Sequence, residues 1–150
     1  MPTDTRKSDA YKSYKAIKGV YCPYLKTAVI FNSNGFRHLI FKGGDKKRDA
    51  ESSQMRFTLV EKAKEVISVT TTLQEYQSDG REMLVQEHGQ EVSKIVTTTY
   101  FGFIAIVDSW KFKVIVKKVG NGRPFFWSVI PNWRTRNKER LFFKGNLEED

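Results

Sequence analysis

His38 stands in the run GFRHLIFK, next to Arg37 and four residues before Lys42. On a helix, residues four apart share a face, so His38 and Lys42 would point the same way while Phe36, Leu39 and Ile40 turn toward a core. Histidine takes up and releases protons near neutral pH. Lysine and arginine suit a crowded anionic transition state. These are the parts of metal-free RNA cleavage. The RNA brings its own 2′-OH as nucleophile, and the protein brings a base, an acid for the leaving 5′-oxygen and cations around the phosphate.

A second stretch, KFKVIVKKVGNGRPFFWSVIPNW, adds to this set. Lys111, Lys113 and Lys117 would form a basic stripe on one strand. On the return strand, simple alternation puts Trp127 and Val129 on one face and Phe126, Ser128 and Ile130 on the other. Ser128 is thus a hydroxyl inside an apolar run. It needs a partner, either a neighbouring strand or a phosphate oxygen. Thr98, in the Thr97–Thr99 run, is an ordinary strand former or part of the same cleft. Arg48 and Arg56 flank the start of a second helix, as phosphate clamps or as solvated charges. Trp133 and Arg134, with Arg136, pair an aromatic with cations, which suits stacking on splayed bases. His88 lies in the acidic loop QEHGQE and reads as a surface residue.

Other chemistries lack their motifs. There is no GxxxxGK[ST] phosphate loop and no GxSxG, and GNG at 120–122 sits in a hairpin with no helix after it. No DxD or ExxH pair offers itself to a catalytic metal. One cysteine, Cys22, forbids an internal disulfide, and with two histidines it cannot make a Cys/His zinc site. No apolar run reaches the roughly 18–20 residues of a membrane span, and the first residues lack the apolar stretch of a signal peptide. A cytoplasmic protein with no cofactor and no membrane partner is expected.

The 150 residues suit one domain. Residues 1–17 read as a flexible basic segment and 18–147 as the folded unit. The formal net charge is +9, distributed as +8 over residues 1–48, −5 over 49–92 and +6 over 93–150. If the two basic ends meet, they form a face that attracts polyanions, nucleic acid first among them.

The elements that must position these residues follow from pattern. Residues 18–31 read as a hairpin with Pro23 near its turn. Asn32 or Ser33 caps a helix over 34–42, ended by Gly43-Gly44. Met55, Leu59, Val60, Ala63, Val66 and Ile67 give one helical stripe over 51–69. Strands are expected over 73–78 and 81–88, joined at Asp79-Gly80. Further strands follow over 93–109, 111–119 and 123–133, with an edge strand at 141–144. The class is α+β, with N-terminal helices packed on a four- to five-stranded antiparallel sheet.

A helix carrying NSNGFRHL, a second helix, and strands ending in a KVIV…FFWSVIP hairpin resemble the barnase/EndoU/colicin/RelE-like nuclease superfamily, and within it the phage- or mobile-element-associated branch. The resembling segments are 32–42, 56–69, 97–100 and 113–131. The resemblance implies a small metal-independent endoribonuclease, a toxin of a toxin–antitoxin or mobile-element system. Its RNA would be tRNA or ribosome-bound mRNA, and its protein partner an acidic antitoxin. Carried onto this sequence, the catalytic group would be His38, Lys42, Ser128 and Thr98. RNA and phosphate would be held by Arg37, Arg48, Arg56, Lys113, Trp127, Trp133 and Arg134. No glutamate matches the base of barnase, so the second acid/base residue stays open. The alternative is a non-catalytic nucleic-acid-binding module or a phage interaction protein.

Overall fold

The computed structural model describes residues 2–42, 46–107, 110–131 and 147–148. Helix α1 spans Pro2–Ile17, where the sequence read as loose. It is held by Tyr14, 3% exposed, whose hydroxyl donates to the Asn32 carbonyl at 2.6 Å and whose ring joins Phe31, Phe36 and Phe126. The expected hairpin follows as β1 (Gly19–Cys22) and β2 (Thr27–Ile30). Helix α2 (Ser33–Ile40) starts where Asn32 Oδ1 accepts the Gly35 N–H at 3.2 Å, and it buries Phe36, Leu39 and Ile40.

Helix α2 ends two residues sooner than expected. Phe41 is extended, and Phe41–Lys42 form β3, paired with β4 (Lys46–Lys47). Lys42 therefore leaves the helical face it was expected to share with His38. The single helix over 51–69 is two, α3 (Ala50–Thr58) and α4 (Val60–Val69). The break frees each to bury a different face. α4 buries Val60, Ala63, Val66 and Ile67, whereas α3 turns the polar Ser53 and Arg56 inward.

The remaining strands are β5 (Glu75–Glu87), β6 (Gln90–Val107), β7 (Trp110–Val119) and β8 (Phe125–Pro131). Among the described residues the large sheet has six strands, in the order β1-β2-β8-β7-β6-β5. It is longer than expected, and it contains one parallel junction, Ile30 of β2 with Phe125 of β8. The helices are interleaved with β1–β4 rather than gathered at the N-terminus. The turn expected at Asp79-Gly80 lies instead at His88-Gly89, with φ of 51° and 79°, the pair of positive values a tight two-residue hairpin turn needs. Running straight through Gly80 lets all thirteen residues of β5 pair with β6. A turn at 79–80 would fold β5 on itself and leave residues 90–97 without a partner strand. The edge strand at 141–144 lies outside the described residues.

One face of the sheet carries the core: Phe103, Val114, Val116, Phe126 and Val129 meet Phe36, Leu39, Ala63, Val66 and Ile67. A smaller cluster, Tyr100, Ile115 and Leu147 with Trp127 and Ile130, lies apart from it.

Candidate active site in the cleft beside helix α2

The parallel junction at Ile30 decides where α2 goes. After one paired residue the chain leaves β2 and enters α2, which takes the place a longer β2 would fill beside β8. Gly35 makes the approach possible, since a Cβ there would lie 2.1 Å from the Phe126 carbonyl oxygen. Across from α2, β8 has a bulge. Val116 opposes Phe126 and Ile115 opposes Ser128, so Trp127 is the extra residue. The bulge overrides simple alternation: Phe126 and Val129 both enter the main core, and Trp127 is aimed at α2.

The result is a cleft of about 400 Å³ lined by Asn34, Arg37, His38 and Phe41 on one side and by Lys117, Val119, Phe125 and Trp127 on the other. The His38 and Trp127 rings stack at 3.9 Å with 17° between their planes. Lys117 Nζ lies 4.1 Å from the Trp127 ring centre and 5.3 Å from that of Tyr100. With one face of Trp127 covered by His38, Lys117 must use the other. Trp127 is therefore a spacer between two functional groups and not an open platform for a base. Its indole N–H donates to the Glu148 carbonyl at 2.9 Å. Burial pushes the Lys117 pKa down from the usual lysine range, against the pull of Glu148 and with the help of Arg81. Burial, with Glu148 nearby, raises that of Tyr100.

His38 is 3% exposed. Arg48 grips it twice, with Nε donating to the His38 carbonyl at 2.9 Å and Nη2 standing 3.0 Å from His38 Nε2. A guanidinium only donates, so Nε2 is the acceptor and the imidazole proton sits on Nδ1. Arg37 lies over the Phe41 ring at 4.4 Å.

The other expected site residues fall elsewhere. Ser128, fully buried, accepts a hydrogen bond from Arg56 Nη1, and Arg56 is 8% exposed. The hydroxyl thus has a protein partner, and the arginine is buried against β8 and not at a solvated helix start. Lys113 is 1% exposed and bonds the Glu75 carboxylate at 3.3 Å, within the sheet and not on a binding surface. Thr98 is 4% exposed and opposes Val119, one strand beyond the cleft lining. Lys42 is in β3. Trp133 and Arg134 lie outside the described residues. The structure thus brings together Arg37, His38, Arg48 and Trp127, and adds Asn34 and Lys117. The basic stripe pointed to Lys117, but no local pattern ties it to His38, because the strand bearing it meets α2 only through the fold. Among the described residues, no three of His, Cys, Asp and Glu gather into a metal-binding group, and no helix is long and apolar enough to cross a membrane.

A larger recess of about 500 Å³ lies between α1 and α3–α4, lined by Tyr14, Phe36, Phe57 and Val60 with Asp9 and Glu61. Among the described residues no lysine or arginine lines it. The cleft beside α2 has the opposite character: among the described residues its lining holds two cations and no carboxylate. If the cleft takes a polyanion, then with RNA as the probe Lys117→Met would weaken binding and lower the slope of log affinity against log salt by about one. A filter-binding salt titration reads both.

The chain matches no protein-family model, no curated protein and no solved structure.

Proposed function

We propose that the protein is a metal-independent endoribonuclease that takes an RNA phosphodiester into the cleft beside α2. The observation that carries this reading is the convergence of Arg37, His38 and Lys117, from a helix and a strand far apart in the chain, on one cleft. Arg37 and Lys117 favour the extra negative charge of the transition state. The 2′-OH attacks the adjacent phosphorus, the P–O5′ bond breaks with the 5′-oxygen taking a proton from solvent, and the product ends in a 2′,3′-cyclic phosphate. In the free protein the His38 Nε2 lone pair is taken by Arg48. An entering phosphate competes for that guanidinium, and Arg48 can turn its Nη groups to it while Nε keeps the His38 carbonyl. Nε2 is then open to accept the 2′-OH proton. The cytoplasm is where such a substrate is found.

The test is cleavage of total RNA in EDTA with the product ends mapped. Wild type is expected to leave cyclic phosphates. His38→Ala and the near-isosteric His38→Asn are expected to lose about 10²–10⁴-fold in rate while staying folded. Metal-requiring cleavage, or full activity in both variants, sinks the proposal. The toxin role suggested by the resemblance adds a cellular readout: expression arrests growth, and His38→Asn relieves the arrest. An acidic antitoxin would cover the same cleft.

The Arg48 grip on a nearly buried His38 favours a second reading, a nucleic-acid-binding module without catalysis. In that case RNA binds with a steep salt dependence, no product forms, and His38→Asn leaves affinity unchanged.

A further inference from the structure

Among the described residues the two edges of the large sheet differ. β1 has four residues, whereas β5 has thirteen. Residues 75–87 contain no proline and no lysine, two devices that blunt sheet edges. β7 ends opposite Thr98, so β5 beyond Asp79 and β6 before Thr98 stand as a two-stranded arm. Tyr76 is 60% exposed, Leu84 70% and Ile95 80%. Tyr76, Gly80 and Leu84 share one face of β5, and Asp79 and Arg81 share the other.

We propose that the protein forms a symmetric dimer in which β5 pairs antiparallel with β5 of a second copy, centred on Gly80. A two-fold axis through the extended sheet keeps like faces together, so only residues of the same parity can oppose each other. Centred on Gly80, the register sets Asp79 opposite the partner's Arg81, and Arg81 opposite the partner's Asp79. On the other face it sets Tyr76 against the partner's Leu84, again twice. Opposite charges and apolar pairs across strands are both favourable. The two nearest alternatives place Arg81 against the partner's Arg81, or Asp79 against the partner's Asp79. Glycine at the axis has no side chain to crowd its own image. Arg81 keeps 45% side-chain exposure while bonded to Glu148.

Sedimentation velocity over a concentration series tests the proposal. Wild type is expected to pass from 17.4 kDa to twice that mass. Asp79→Arg and Arg81→Asp should each weaken the dimer about tenfold or more, and the double swap D79R/R81D should restore it. The register is read separately by cysteine. Gly80 is outside the left-handed region, and a Cβ there would meet only Ile95 Cγ2, at 3.3 Å. Gly80→Cys should cross-link to its image on mild oxidation, since opposed residues lie within disulfide reach. Leu84→Cys should not, because it sits eight residues, about 27 Å, from its own image. The native Cys22 is buried and serves as the background. Monomer at every soluble concentration, a double swap that fails to restore the dimer, or cross-linking at 84 rather than 80 would each overturn the proposal.

Discussion

Gly35→Ala is expected to lower the unfolding free energy by about 3 kcal/mol, read as the shift of a urea unfolding midpoint. The sign is not obvious from local preference, because alanine inside a helix is favoured over glycine by about 0.5–1 kcal/mol. Steric overlap decides it. The new Cβ would lie 2.1 Å from the Phe126 carbonyl oxygen and 2.6 Å from the Tyr14 hydroxyl. The first of these is backbone in a paired strand and cannot rotate away. Helix α2 would have to retreat from β8, losing the packing of Phe36 and Leu39 and drawing His38 off Trp127. Gly19→Ala is the control. Its nearest neighbour is 3.5 Å from the added carbon, an ordinary contact, and a change within about 0.5 kcal/mol is expected there. Equal effects at the two positions would mean that α2 does not lie against β8 as described.

The second large effect is expected at the buried ion pair. Glu75→Ala should cost about 3–5 kcal/mol, because it removes the carboxylate from an ammonium that is 1% exposed. Gly102 is what lets the pair form: β5 and β7 flank it, and a Cβ there would lie 2.9 Å from Glu75 Cβ. Replacing both partners, as E75Q/K113M, keeps the volume and removes the charge. Such exchanges are often neutral or stabilising, so the double variant should recover most of the loss. A double variant as unstable as Glu75→Ala would show that the site depends on charge and not on filling the space.

These two sites also mark where the sequence stopped being informative. Lys113 was read as part of a basic stripe open to phosphate. Its charge was legible, but its burial depends on Glu75, 38 residues earlier, and on the absent side chain of Gly102. The sequence around Arg56 and around Ser128 leaves each with two roles open, and the two meet across 72 residues. Arg48 gave no sign that it would hold His38, because no apolar period around it ties it to α2.

What the sequence determined by itself is local. Asn32 caps α2, and the spacing of Phe36, Leu39 and Ile40 gives that helix its buried face. The apolar stripe of α4, the strands on either side of GNG and the α+β class follow from the same near-neighbour rules of propensity and period. The tertiary structure decided the rest: the parallel junction that hands β2's place to α2, the uninterrupted run of β5 through Gly80, the bulge that aims Trp127, and the placing of Lys117 and His38 on the two faces of that ring. Each of these depends on which distant residues become neighbours. Pairing length, register and close approach gain free energy only when separate segments are already side by side, so no window along the chain contains them.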